Sequence, residues 1–254
     1  MLLEHPQSLP RAIAPALHSP IVELRQYTLH PGRRDTLIDL FEREFLDTQA
    51  EAGISVLGQF RDLDAPDRFV WLRGFEDMDV RRAALERFYG GPAWQAHRDA
   101  ANATMIDSDD VLLLRPAAPA SAFVLDDALP ARGEVRDGGV IVATIYSFDA
   151  PVDIDFLDFF AAELHPAFAA AGGPAIASFS TEYAPNTFPR LPVREGEHVF
   201  TWFARFADVG AHAAYREKLV SAPGWRALAV ALGRRLQGPP QVLRLAPTSR
   251  SRLR

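Results

Sequence analysis

The sequence predicts an α+β protein made of two tandem ferredoxin-like units, each with the order strand, helix, strand, strand, helix, strand. The two units are expected to close on each other as an intramolecular pseudo-dimeric α/β barrel. An internal repeat is the first reason. Phe69-Val-Trp-Leu-Arg-Gly-Phe75-Glu-Asp77 is echoed by Phe200-Thr-Trp-Phe-Ala-Arg-Phe206-Ala-Asp208, and Gly91-Pro-Ala-Trp94 by Ala222-Pro-Gly-Trp225. Upstream, Tyr27 matches Tyr146, and Leu40-Phe41-Glu-Arg-Glu44 matches Phe159-Phe160-Ala-Ala-Glu163. The second reason is the order of strand-like and helix-like periods inside each copy, which is that of the split βαβ arrangement. The third is that Phe69, Trp71 and Phe75 occupy one alternating phase of a strand while Val70 and Leu72 occupy the other. Neither face of such a sheet suits water, and two units can bury their bare faces against each other.

Each element has a local cause. Val22 to Leu29 has strand length and stops at the turn signal His30-Pro-Gly32. Asp35 is a plausible N-cap, Leu37, Ile38, Leu40, Phe41 and Phe45 recur at helical spacing, and Gly53 ends the helix. Ile54 to Arg61 and Arg68 to Phe75 form a hairpin across Asp64-Ala-Pro-Asp67. A second helix follows Asp77 and breaks at Gly90-Gly-Pro92, and Val111 to Leu114 closes the unit. The second copy repeats this from Val140 to Leu245, with helices near Asp153 to Ala171 and Val209 to Leu236. It differs by about a dozen extra residues around Tyr183 to Glu197, as suits a surface loop. The expected organisation is an arm at 1–20, a first domain at 21–116, a linker at 117–139, a second domain at 140–247 and a tail at 248–254. The linker is rich in Pro, Ala and Gly, with Phe123 to Leu125 able to dock. The arginine-rich end is expected to fray.

Composition excludes several function classes. The formal charge of −6 comes without a basic stripe, which argues against nucleic acid. The absence of cysteine removes disulfides, thiolate nucleophiles and iron–sulfur ligation, and is compatible with the cytoplasm, the expected compartment. Residues 1–20 hold neither a basic start nor a continuous apolar run, so neither a signal peptide nor a membrane span is expected. There is no P-loop, no G-x-S-x-G elbow, no H-E-x-x-H pair and no dinucleotide fingerprint. No spacing of His, Asp and Glu suggests a metal site, and neither a metal nor a tightly bound cofactor is expected.

The residues resemble a known family. Val22-Glu-Leu-Arg-Gln-Tyr-Thr-Leu-His-Pro-Gly32, the helix end Gly53-Ile54, Leu57-Gly-Gln-Phe60 and Val70-Trp-Leu-Arg-Gly-Phe-Glu-Asp77 are similar to the NIPSNAP family, a branch of the dimeric α/β barrel superfamily. The similarity is good over Ile21 to Pro116 and weaker over Val140 to Pro247. The second copy has Val142, Thr144 and Tyr146 where the first has Glu23, Arg25 and Tyr27, so a function resting on the Glu/Arg pair belongs to one half. The resemblance implies the barrel fold. Its relatives imply cofactor-free monooxygenase, isomerase or lyase activity, or haem use, by fold analogy alone.

Glu23, Arg25 and Tyr27 share a strand face by the two-residue period, as do Trp71 and Arg73. If those faces point into the barrel, an apolar or aromatic small molecule could stack on Trp71 and Trp202 beside Tyr146, with Arg25 and Arg73 stabilising an anion and Tyr27 or Glu23 moving a proton. The structural alternative is that Glu23 pairs with Arg25 or Arg73 and the tyrosines only pack. His165, before Pro166, could be tipped toward a cavity by a bent helix and act as a base or metal ligand with Glu163 nearby, or could be an ordinary partly exposed histidine. His97, His198 and His212 are less distinctive. The insertion Tyr183 to Pro192 could be a lid, with Tyr183, Phe188 and Arg190 as contacts, or a passive loop. The expected function is a small enzyme without a tightly bound cofactor, an isomerase, cyclase, lyase or monooxygenase acting in the barrel. The alternatives are a noncatalytic ligand-binding or interaction module, favoured by a filled barrel and an exposed apolar groove, and, more weakly, a haem-binding protein. Further association into a homo-oligomer stays open.

Overall fold

The computed structural model describes residues 16–17, 19–126, 128–133 and 139–254. The expected N-terminal arm lies largely outside them, as does part of the expected linker. After a short strand, β1 (Ala16–Leu17), the first unit runs through β2 (Ile21–Leu29), α1 (Arg34–Leu40), a π-helical turn (Phe41–Phe45) and α2 (Leu46–Glu51). It continues with β3 (Ser55–Asp62), β4 (Arg68–Phe75), α3 (Met78–Gly90), α4 (Pro92–Asn102) and β5 (Met105–Pro116). A second short strand, β6 (Leu125–Asp126), pairs with β1. The second unit follows as β7 (Val140–Ser147), α5 (Ile154–Phe159), another π-helical turn (Phe160–Leu164), α6 (His165–Ala171), β8 (Ala175–Thr181), β9 (Val199–Phe206), α7 (Val209–Ser221), α8 (Trp225–Gly233) and β10 (Gln241–Pro247).

Eight antiparallel strands close into a barrel in the order β10, β3, β4, β2, β5, β8, β9, β7 and back to β10. Each half keeps the ferredoxin-like strand order. The halves join where β5 meets β8, with Leu114 opposite Thr181, and where β10 meets β3, with Leu245 opposite Asp62. Closure removes the free sheet edges that either unit alone would present.

Strand alternation then sorts side chains into three layers. Val22, Leu24, Val70, Leu72, Ile141 and Phe203 point inward with their neighbours and fill the barrel. Phe69, Trp71 and Phe75 point outward beneath the helices of the first unit, and Phe200, Trp202 and Phe206 do the same in the second. The expectation that Glu23, Arg25 and Tyr27 face the barrel interior is therefore corrected. They share the phase of Trp71, the other phase of β2 being taken by Val22 and Leu24. Trp71 and Trp202 lie in separate layers and do not share a cavity.

Helix ends follow their local chemistry. The Asp77 and Asp208 carboxylates accept from the backbone N–H groups of Val80 and Ala211, capping α3 and α7. Gly53 and Gly172, at φ 89° and 104°, take the left-handed conformation that ends each first helix. The expected cap at Asp35 is displaced: α1 begins at Arg34, and Asp35 sits in its first turn, bound by Arg61 at 2.8 Å. Both first helices carry a π-helical turn at equivalent positions, although only the second has a proline after it. The irregularity upstream of His165 thus belongs to the repeat and not to Pro166.

The expected fraying of the C-terminus is also corrected. Leu253 is buried in the barrel end, its N–H donating to Leu57 O at 2.9 Å, and Arg250 bridges to Asp47 at 2.6 Å and donates to Pro130 O at 2.9 Å. Phe123 of the linker docks at the barrel as well, 5.1 Å from Phe179 and 4.9 Å from Phe203 between ring centroids. Among the described residues, no helix is long and apolar enough to cross a membrane. Leu253→Ala should cost about 2–5 kcal/mol, the range for truncating a buried leucine, read as a lower urea midpoint; an unchanged midpoint would show that the tail is only laid on the surface.

Candidate functional site

In the outer layer of the first unit, β2 and β4 set Glu23 opposite Arg73, Arg25 opposite Trp71 and Tyr27 opposite Phe69. From above, α3 brings down Arg81, one turn after its Asp77 cap, and Tyr89 near its end. The Glu23 carboxylate is wholly buried and accepts from Arg25 Nη1 at 2.6 Å, Arg73 Nε at 2.7 Å and Arg81 Nε at 2.7 Å. One carboxylate facing three guanidinium groups leaves two uncompensated positive charges, because arginine keeps its proton in proteins. Burial alone would raise the Glu23 carboxyl, but Arg73, Arg25 and Arg81 outweigh it and hold it well below the usual carboxylate range.

The cluster is linked to two tyrosines. Arg25 Nε donates to Tyr27 Oη at 3.0 Å, and Arg73 Nη1 approaches Tyr89 Oη at 3.5 Å. Both guanidinium groups also lie over the Trp71 ring, at 5.5 and 5.1 Å from its centroid. Burial pushes the Tyr27 phenol up, against the opposing pull of Arg25, so at neutral pH it keeps its proton and can donate. Several buried polar atoms have no partner here: Nη2 of Arg73 and of Arg81, the Trp71 indole nitrogen, Gln49 Oε1 and both amide atoms of Gln59. Such atoms are costly without a partner, and of these residues Trp71 and Gln49 border a hollow.

Tyr27 and Tyr89 also line a pocket of about 420 Å³ that opens between α4 and the insertion of the second unit, past Trp94, Met105, Phe188 and Arg190. A small hollow of about 40 Å³ continues inward against Trp71, Phe41 and Gln49. The insertion crosses onto the first unit. Arg81 Nη1 donates to Asn186 Oδ1 at 3.0 Å and Thr187 Oγ1 at 3.3 Å, and Phe188 stacks on Tyr89 with centroids 5.9 Å apart. The insertion thus lies beside one pocket, which Phe188 and Arg190 line; Tyr183 instead bonds His198 at 2.8 Å.

The structure therefore gathers Glu23, Arg25, Tyr27, Trp71 and Arg73 and leaves out the rest of the expected set. Trp202 and Tyr146 lie in the outer layer of the second unit. His165 is half-buried there, stacked on Phe160, and lines an apolar groove of about 630 Å³ with Ala117 to Ser121, while Glu163 is exposed. His97 Nε2 lies 3.4 Å from Glu44 on the surface of the first unit. Among the described residues no cluster of His, Cys, Asp and Glu could hold a metal ion. Arg81, Tyr89 and Gln49 were not foreseen. Arg81 had one legible signal: it falls on the buried stripe of α3 with Ala84, Leu85 and Phe88, where an arginine needs a partner.

Residues 22–120 match the profile of the NIPSNAP family. No curated protein matches the chain. Among solved structures, an anthrone oxidase-like protein is similar over 92% of this chain and 94% of its own, at 16% identity and a TM-score of 0.57. A proposed monooxygenase from Lactobacillus acidophilus NCFM is similar over 91% and 94%, at 14% identity and a TM-score of 0.52. Another from Fusobacterium nucleatum subsp. nucleatum is similar over 90% and 92%, at 10% identity and a TM-score of 0.53. At these identities the likeness is one of fold.

Glu23→Gln strands three buried cations and should cost about 3–5 kcal/mol, measured by urea unfolding at pH 7. Because the folded-state pKa of Glu23 is depressed, its stabilising contribution is full above the unfolded value of about 4.3 and is lost as pH falls toward the folded value. The difference between wild type and Glu23→Gln should accordingly shrink below that pH; a constant difference down to pH 3 would show that Glu23 carries no such linkage.

Proposed function

We propose that this chain, which carries a NIPSNAP domain over residues 22–120, is a small cofactor-independent enzyme that acts on an apolar or aromatic metabolite in the outer pocket of its first unit. The barrel is filled, so the chemistry is assigned between sheet and helices and not at the barrel centre. The observation that carries this reading is the pair of tyrosine hydroxyls, Tyr27 and Tyr89, each backed by a guanidinium of a cluster with excess positive charge and each lining the same pocket. A hydroxyl whose oxygen accepts from a cation is a stronger donor through its own hydrogen. Two such tyrosines lining one pocket suit an oxygen that gains negative charge during reaction, such as an enolate or phenolate.

In this reading the substrate ring packs against Trp94, Met105 and Phe188, and its oxygen lies on Tyr27 and Tyr89. A carbon-bound proton leaves to water at the open mouth while Tyr27 shares or gives its proton to the developing oxyanion. Arg25 and Arg73 act through the tyrosines and through the field they impose. Glu23 orients the three arginines; with both oxygens engaged and its pKa depressed, it is a poor base. Enolate formation is the entry to isomerisation as well as to oxygenation, and the names of the full-length neighbours support the latter branch.

A second reading, a binding module without chemistry, is favoured by the filled barrel and by the exposed apolar groove beside His165. Hydrogen–deuterium exchange into 2-tetralone in D2O, followed by mass spectrometry, separates the two. The enzyme reading expects exchange well above the buffer rate and a loss of about a hundredfold in Tyr27→Phe, with little change in the unfolding midpoint. Exchange no faster than buffer in the wild type would leave the binding reading, and equal loss of rate and stability in Tyr27→Phe would assign that tyrosine to packing.

A further inference from the structure

The geometry points to a second small-molecule site, in the outer layer of the second unit, that takes an uncharged planar aromatic ligand with a hydroxyl or carbonyl edge. It occupies the place that the ion cluster fills in the first unit. By strand register, Val142 opposite Ala204 corresponds to Glu23 opposite Arg73, and Thr144 opposite Trp202 corresponds to Arg25 opposite Trp71. His212 stands four residues after the Asp208 cap, as Arg81 does after Asp77. Four long charged side chains have thus been replaced by three small ones and an imidazole.

The space they vacate is a cavity of about 440 Å³, large enough for a two-ring ligand. Trp202 and Tyr215 supply flat aromatic walls, and Val142 and Ala204 an apolar floor. The Trp202 indole nitrogen is buried there without a hydrogen-bond partner, and the Thr144 hydroxyl and the His212 imidazole, at 7% and 5% exposure, line the same cavity. The hydroxyl and the imidazole can each donate and accept, which suits a hydroxyl or carbonyl on a neutral ring.

Charge sets the class. At the mouth, the Arg244 guanidinium is engaged by Asp64, with Nε to Oδ2 at 2.8 Å, and Arg216 is exposed on the rim. Burial, reinforced by Arg216 and Arg244 and opposed by Asp64, holds His212 below the ordinary histidine range, so the imidazole is neutral at pH 7. The two cations that line the cavity, Arg216 and Arg244, stand at its mouth and not on its floor, and an anionic group carried to the floor would be desolvated at a loss. The two halves of the repeat therefore divide ligands by charge.

The test is a titration of the full chain with 1-naphthol at pH 7, following the His212 ring resonances by NMR and the affinity by calorimetry. Saturable shifts of His212 are expected, unaffected by Arg73→Met in the other unit. Thr144→Val, close to isosteric, should weaken binding about three- to tenfold by removing one hydrogen bond. Val142→Phe, which fills the floor, should abolish it, and 1-naphthoate should bind at least about tenfold more weakly than 1-naphthol because its carboxylate stays unpaired. Shifts of His212 that do not saturate, equal affinity in Thr144→Val and Val142→Phe, or naphthoate binding as tightly as naphthol would each overturn the proposal.

Discussion

The buried Glu23 carboxylate is the point on which the first unit turns. Three guanidinium groups from β2, β4 and α3 meet on its two oxygens, so one side chain ties two strands to the helix above them. Arg81 extends that tie to Asn186 and Thr187, fastening the insertion of the second unit over the first. The same contact sets register, helix placement and pocket cover. It also leaves excess positive charge in a layer with little water to screen it, where electrostatic effects are larger than at a surface.

The repeat explains how such a cluster can be afforded. Stability of the whole rests on the filled barrel, which both units build from equivalent inward positions, and on edges that closure removes. With the core secured by both copies, the outer layers are free to diverge. One is charged and the other apolar, although both keep the tryptophan, the first-strand tyrosine, the helix cap and the π-helical turn. Phe41 lines the inner hollow of the first unit and Phe160 the apolar groove of the second, so the widened turns stand beside cavities in both.

Much of the fold was legible because its signals are local. The helix that follows Asp77, the break at Gly90-Gly-Pro92, the helix end at Gly53 and the matched tryptophans each rest on signals within a few residues. The site was half legible. Two-residue alternation correctly put Glu23, Arg25 and Tyr27 on one face, and Trp71 and Arg73 on one face, but could not say which face. Both phases of β4 are apolar, so barrel and helix sides look alike in sequence. Arg81 and the crossing insertion depend on how α3 and the second unit pack, which no local pattern encodes. The π-helical turns have no glycine or proline at their centre to announce them, and the order of the tail is not legible because Arg250 meets Asp47 and Pro130, far away in sequence, only in the folded chain.

The proposed function rests on the pocket against the Glu23 cluster taking an oxygen-bearing, anion-forming aromatic molecule. Native mass spectrometry of the protein purified gently from its own host, with denaturing release and identification of any bound molecule, tests this most directly when run on wild type and Arg73→Met in parallel. A stoichiometric acidic or enolisable aromatic compound is expected on the wild type and missing from the variant. Wild-type protein without such a compound, or the same acidic or enolisable compound retained equally by both, would contradict that reading.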